Sequence, residues 1–247
     1  MNILEQRAAE ALLQARRANA YGPVMNLVAA HLYSYRAQQQ QNEIDVYWSH
    51  DHQNISYWNN DGYDAIRDFF VVANGAEMRA KKLKLVNQYH PEVEVTPEND
   101  GMGDMVAKGA VSPYIVISDD GMSAKGLWLT PGICSEVNKD GRPKPTYMHE
   151  KLGINAILDD DGVWRILKLR TYVEFVTNIP PEILEQKASA RTVDVMDGRP
   201  SPGAETQFAY GKKPYSITTK AGYYPKMPEP YATWSEETAM VPLPDKN

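Results

Sequence analysis

Histidine is the side chain best suited to acid–base chemistry near neutral pH, and this chain has five. One of them, His149, lies in a stretch from 147 to 158 in which polar and apolar residues alternate. As a strand, this stretch has one polar face, which carries Tyr147, His149, Lys151, Gly153 and Asn155. If that face lines a pocket, His149 is a candidate general base, and Lys151 and Asn155 are candidates to stabilise an anion. The alternative is a solvated or subunit-facing surface.

A second strand-like stretch, 163–176, carries a charge deep inside it. Its alternation puts Arg170 and Tyr172 on one face and the apolar Leu167, Leu169 and Val173 on the other, which favours the second face as core. A charge inside a strand requires an anionic partner or solvent. Arg170 is therefore a candidate to bind a carboxylate or phenolate of a ligand, with Tyr172 beside it.

Two further candidates lie on a helix-like stretch near the N-terminus. His31 and Tyr35 share an apolar stripe with residues at three- and four-residue spacing, and a polar group on such a stripe needs a partner. His31 is either a core histidine that binds a backbone carbonyl or a base inside a pocket. Both interpretations stay open at this point.

Aromatic residues cluster in the segment that follows, where Trp48, His50, Tyr57 and Trp58 lie close together in sequence. Aromatic walls suit a flat ring substrate, so we predict that Trp48, Tyr57 and the later Trp128 contact such a ligand. His50 is another candidate base. His50 and His52 lack a third ligand at metal-site spacing, and we predict no metal. The glycines match no nucleotide-binding pattern, and we predict no cofactor.

The elements that must position these residues begin with helices. Residues 3–19 and 24–35 each show helical spacing and are separated by Gly22-Pro23, which predicts two helices. A short helix at 43–49, a strand at 54–58 and a third helix from Tyr63 to about Val86 follow.

Strand signals dominate after Pro91. Val93 and Val95 alternate, and longer stretches at 105–117, 123–130, 147–158 and 163–176 are separated by turns such as Asp119-Asp120-Gly121. Helices followed by an antiparallel sheet define an α+β fold. We expect a lead-in helix at 1–20, one barrel at 21–180 and an extended arm at 181–247, because nine of the 17 prolines and seven aromatics fall in that last region.

Composition limits the partners. The net charge of −6 provides no broad positive field, so nucleic acid is not expected. One cysteine excludes an intrachain disulfide framework. The charged N-terminus differs from a secretory signal and no apolar stretch is long enough to span a membrane, so we predict a cytoplasmic protein with no membrane partner.

Four segments resemble the SnoaL-like family of the nuclear-transport-factor-2-like superfamily, and they occur in the family's order. They are LVAAHLYSY at 27–35, GYDAIRDFF at 62–70, GMSAKGLW at 121–128 and DDDGVWRILKLRTYVEF at 159–175. The resemblance implies a cone-shaped α+β barrel, a curved and mainly antiparallel sheet wrapped on N-terminal helices, with a pocket for a small organic ligand. It also implies a homo-oligomer, which we expect to be a dimer or a trimer.

The same resemblance implies a function but not one reaction. The family includes dehydratases, isomerases and non-catalytic binding proteins, and the length and aromatic-rich tail resemble lyases of bacterial lignin-dimer catabolism. Where several family enzymes carry an aspartate that pairs with a histidine, this chain has Arg36, Ala37, Gln38 and Gln39. We therefore predict a cofactor-independent lyase on a small aromatic substrate, with a ligand-binding module or a ketosteroid-type isomerase as the alternatives.

Overall fold

The computed structural model describes residues 2–34, 39–99, 105–140, 143–180 and 231–239. Within these ranges, helices occupy the N-terminal part and a mixed sheet follows, so the α+β class predicted from the sequence is confirmed. The expected arm lies mostly outside the described residues, apart from its segment 231–239.

One long helix, α1 (Ile3–Ser34), replaces the two helices that the sequence predicted. Its start is capped by Asn2, whose Oδ1 accepts hydrogen bonds from the backbone N–H groups of Leu4 and Glu5 at 3.0 and 2.9 Å. The break expected at Gly22-Pro23 is wrong, because Pro23 lies inside the helix. Packing of the stripe on either side of Pro23 offsets the hydrogen bond that proline cannot donate. The buried members of that stripe are Ala20, Val24, Leu27, Val28, His31 and Ser34.

Three shorter helical segments complete the helical layer. Helix α2 (Gln40–Tyr47) precedes two two-residue strands, β1 (Ser56–Tyr57) and β2 (Asn60–Asp61). Helix α3 (Tyr63–Arg67) continues through a π-helical stretch, Asp68–Ala76, into α4 (Glu77–Tyr89). The third helix predicted from Tyr63 onward is thus present, with a kink at Gly75, whose φ and ψ are −88° and −108°.

Six longer strands follow: β3 (Met105–Lys108), β4 (Val111–Ile117), β5 (Ser123–Leu129), β6 (Gly132–Val137), β7 (Pro143–Leu158) and β8 (Trp164–Asn178). The single strand predicted at 105–117 is therefore two strands, β3 and β4. Strand β6 was not predicted. The strand expected around Val93 is absent from this described region. The sheet runs in the order β2-β1-β8-β7-β5-β4, with β6 pairing β7 and β3. Only the pairing of β1 with β8 is parallel among these described ladders.

The sheet has a helix-side face and an outer face, and strand register assigns residues to each. On the helix-side face, Gly126 of β5 lies beside Ile154 of β7, which lies beside Leu169 of β8. Ile154, Leu169 and their neighbours belong to the hydrophobic core that also includes the buried stripe of α1. On the outer face, the corresponding row is Lys125, Asn155 and Lys168.

The segment 231–239 lies on the outer face. The backbone N–H groups of Asp119 and Asp120 donate to the carbonyl oxygens of Tyr231 and Ala232 at 3.2 and 3.3 Å. Trp234 packs against the core cluster, and Glu236 forms an ion pair with Lys168. The outer face is therefore covered at its centre, and Lys168 is fully buried there.

Two glycines in different settings provide a test of this packing. A methyl group added at Gly126 would lie 2.3 Å from the Trp128 ring, which is itself buried, whereas one added at Gly22 on α1 meets nothing within 4 Å. We expect Gly126→Ala to lower the free energy of unfolding by about 1–3 kcal/mol through overpacking. We expect Gly22→Ala to raise it by about 0.5–1 kcal/mol, because alanine loses less backbone entropy in a helix. Urea denaturation measures the free energy of unfolding of both variants. Equal changes in the two would contradict the assignment of Gly126 to the packed, helix-side face of the sheet.

Candidate functional site

A buried histidine–carboxylate pair lies on the helix side of the sheet. His31 of α1 and Glu43 of α2 face each other with 2.6 Å between Nδ1 and Oε1. Their side chains are only 4% and 1% exposed. An ionised carboxylate can only accept, so the imidazole donates its Nδ1–H, and its basic lone pair is then on Nε2.

Trp48 holds the same carboxylate. Its indole N–H lies 3.4 Å from Oε1 of Glu43, so the histidine and the tryptophan both direct donors at one oxygen. The other oxygen, Oε2, is buried and has no hydrogen-bond partner in the ranges that the structure describes. Two donors on one atom fix the position of the carboxylate and leave its second acceptor oxygen unused.

Aromatic rings enclose this pair. The ring centroids of Tyr57 and Phe70 lie 6.4 and 6.3 Å from that of His31, and 4.5 Å from each other. Trp48 contacts both, with centroids 6.3 and 6.4 Å away. Local structure places them here, since Tyr57 is in β1 beside Leu169 of β8, and Phe70 is on the π-helical stretch after α3. An imidazole in this setting can move a proton in surroundings from which water is largely excluded.

The predicted polar face of β7 points the other way. His149 and Lys151 have the same parity as Asn155 along the strand, so they lie on the outer face and not toward the helices. There Glu174 accepts from both, with His149 Nδ1 at 2.8 Å and Lys151 Nζ at 2.5 Å, and the ring of His149 stacks on Phe175. This polar face therefore lies opposite the core that the helices share, and the catalytic roles of its residues stay predictions.

Arg170, Tyr172 and Asn155 also lie on this outer face, by the same alternation. Arg170 and Asn155 are buried, while Tyr172 is half-buried. The apolar residues Leu167 and Leu169 belong to the core, as the sequence predicted. Outer-face side chains thus cannot share one pocket with His31.

The remaining candidates are dispersed. His50 is exposed near the turn after β7, where its backbone N–H donates to Asp159 at 3.0 Å. Trp128 lies in the core on the helix-side face, and Tyr147 lies on the outer face, 5.6 Å from Phe175 between ring centroids. Tyr35 lies outside the described residues.

Glu43 was missed by the sequence analysis. It stands in the run QQQQNEID, whose polarity suggests an exposed helix start. The available signal was its position next to the apolar Ile44, five residues before Trp48, and Glu43 and Ile44 are the buried residues of α2.

Two features are absent from the described residues. Among the described ranges, no group of three or more histidine, cysteine or acidic side chains is arranged to hold a metal ion. None of the helices in the same ranges is both long enough and apolar enough to cross a membrane.

Comparison with known proteins identifies fold similarity only. No family model and no curated protein sequence matches this chain. Three solved structures are similar at 9–12% identity: a type 2 hexachlorocyclohexane dehydrochlorinase (LinA), and two Novosphingobium aromaticivorans proteins provisionally named aromatic ring hydroxylase and scytalone dehydratase.

Each of the three is matched over most of its length. For the dehydrochlorinase, the TM-score is 0.43, with 68% of this chain and 93% of that chain covered. The corresponding values are 0.41, 64% and 91% for the hydroxylase and 0.45, 75% and 99% for the dehydratase. At these identities and scores, none of them assigns a chemistry to this chain.

Tyr231 offers a pH test of the covered outer face. Its ring lies 3.8 Å from Lys125 Nζ, and burial raises the pKa of Tyr231 to about 12. The unfolded phenol titrates near pH 10, so the stabilisation is fully present below pH 10 and is lost as the pH rises toward 12. We expect the wild type to lose about 1 kcal/mol more unfolding free energy than Tyr231→Phe between pH 9 and pH 11.

The exposed Tyr114 provides the control, and Tyr114→Phe should follow the wild type over the same pH range. Urea unfolding at the two pH values measures all three proteins. Identical losses in wild type and Tyr231→Phe would show that the phenol is not buried in solution.

Proposed function

We propose that this protein is a cofactor-independent lyase, in which His31 transfers a proton to and from a small aromatic substrate on the helix side of the sheet. The observation that supports this function best is the buried His31–Glu43 pair, enclosed by Trp48, Tyr57 and Phe70. A carboxylate bound to Nδ1 orients an imidazole and stabilises the imidazolium that forms when Nε2 takes a proton.

The elimination needs only this one proton carrier. To release water, His31 takes a proton from carbon, the C–H electron pair forms a C=C bond, and the neighbouring C–O bond breaks. The departing hydroxide takes the proton back from the imidazolium and leaves as water. To release formaldehyde from a 1,3-diol, His31 takes the proton of the terminal hydroxyl, whose oxygen forms the C=O bond of formaldehyde as the terminal C–C bond breaks. The electron pair of that C–C bond forms the C=C bond, and the benzylic hydroxide leaves as water after taking the proton back from the imidazolium. In both reactions, no oxidant or reductant is consumed.

The aromatic enclosure favours a flat substrate of one or two rings. Three rings at centroid spacings of 4.5–6.4 Å provide faces and edges for stacked or T-shaped contact. We include lignin-derived diaryl compounds in this class, with water, formaldehyde or carbon dioxide as the group eliminated. An isomerase would use the same pair and return the proton to another carbon.

A non-catalytic binding module is the second candidate function. The observation that favours it is burial, since both members of the pair are less than 5% exposed. A histidine–glutamate pair as deeply buried as this one could serve only to hold a ligand or to specify the packing of the core. Assembly into a dimer or a trimer stays a prediction for either function.

Paired histidine variants test where the reaction takes place. With a 1,2-diarylpropane-1,3-diol as the probe, we expect His31→Ala to lower kcat by about 10²-fold or more, because it removes the proton carrier. His149→Ala removes an imidazole from a similar carboxylate pair on the outer face and should change kcat by less than about threefold. Stilbene-like absorbance and formaldehyde release report turnover, while circular dichroism verifies the fold. If the loss follows His149 instead, the proposed site is wrong.

Chelation tests the chemistry separately. The proposed proton transfer uses protein side chains alone, so dialysis against EDTA should leave turnover within about twofold, with no added nucleotide or flavin. Loss of turnover that zinc or manganese restores would contradict a mechanism based on general acid–base catalysis by His31 alone.

A further inference from the structure

Glu43 carries a buried acceptor oxygen that no group of the described residues uses. His31 and Trp48 both direct their N–H groups at Oε1, at 2.6 and 3.4 Å, while Oε2 has no hydrogen-bond partner within the described part of the chain. The side chain is 1% exposed, so bulk water does not solvate this oxygen. A carboxylate oxygen buried without a donor is destabilising, and native proteins usually satisfy such groups.

The surroundings restrict the kind of donor that fits. Tyr57 and Phe70 place their rings 6.4 and 6.3 Å from that of His31, and Trp48 packs against both, so aromatic surface predominates around the pair among the described residues. A hydroxyl brings one proton and can be satisfied by one acceptor. An ammonium brings three and would leave at least some of them without acceptors in such a setting.

We propose that Glu43 Oε2 accepts a hydrogen bond from a hydroxyl group of the ligand, so that Glu43 selects hydroxylated aromatic compounds over the corresponding ethers and hydrocarbons. This inference rests on the proposed function in one respect, namely that the ligand binds beside the His31–Glu43 pair. It adds a second role for Glu43, since Oε1 orients His31 and Oε2 determines specificity.

Three naphthalene probes of similar shape test the proposal in the wild-type protein. The compounds are 2-naphthol, 2-methoxynaphthalene and naphthalene, and calorimetry or quenching of tryptophan fluorescence measures their dissociation constants. A hydrogen bond to a charged group is among the stronger ones, so 2-naphthol should bind at least about tenfold more tightly than 2-methoxynaphthalene. The cationic 2-naphthylmethylamine should bind more weakly than 2-naphthol.

A matched pair of variants locates the preference. In Glu43→Gln, the side-chain amide is neutral. The dissociation constant of 2-methoxynaphthalene should then exceed that of 2-naphthol by only about threefold or less. In Glu174→Gln, the same substitution is made in the outer-face pair with His149, and the ratio should stay at the wild-type value. If Glu43→Gln does not fold, the wild-type ratio still decides the proposal.

The outcomes separate this inference from the function on which it rests. Binding of all three neutral probes with equal affinity overturns hydroxyl selection but leaves the aromatic site intact. Tighter binding of 2-naphthylmethylamine than of 2-naphthol also overturns it, in favour of a cation site. If none of the probes binds, and turnover of the diol is also absent, both the inference and the proposed function are wrong. A tenfold preference that disappears only in Glu43→Gln supports the inference even where no turnover is found.

Discussion

The antiparallel pairing of β7 with β8 determines where the candidate side chains lie. Both strands are long, and they occupy the middle of the sheet, so β1, β5 and β6 all attach to them. Side chains alternate between faces along each strand, and the pairing shows two register shifts, at His149/Glu150 and at Asn155/Ala156. Both shifts place the extra residue in β8, Glu174 at the first and Leu167 at the second, so the alternation along β7 continues unbroken and separates the side chains that meet the helices from those on the outer face.

The sequence predicted the α+β class and most of the longer strands because the signals for these are local. Turn residues at Asp119-Asp120-Gly121 and 160–162, and alternation in β5, β7 and β8, identified the main hairpins. The helical stripe of α1 identified Val24, Leu27 and His31 as inward-facing, and these three are buried. The failures also have local causes, since Pro23 is tolerated in α1, and β6 lies in a stretch, GICSEV, without clear alternation.

The candidate site was less predictable, because the orientation of a strand face is not a local property. Alternation correctly grouped His149 with Lys151 and Arg170 with Tyr172. Hydrophobic contrast could not show which group faces the helices, because residues 165–170 of β8 are buried on both faces. On the outer side, β8 is covered by aromatic and acidic residues about 65 positions later in the sequence, such as Trp234 and Glu236, which both lie against Lys168. Likewise, Glu43 is recognisable as a site residue only when α2 is packed against α1.

The two histidine–glutamate pairs show why burial, rather than residue type, distinguishes a candidate site. In each, Nδ1 lies within 2.8 Å of a carboxylate oxygen. Around His149 the side chains are about a quarter exposed and Lys151 neutralises the glutamate, so water and a cation already satisfy the charge. Around His31, the carboxylate has no lysine or arginine partner among the described residues, and its Oε2 accepts no hydrogen bond from them. Because electrostatic interactions are stronger where water is excluded, the inner pair has the larger effect on any proton or hydroxyl brought next to it.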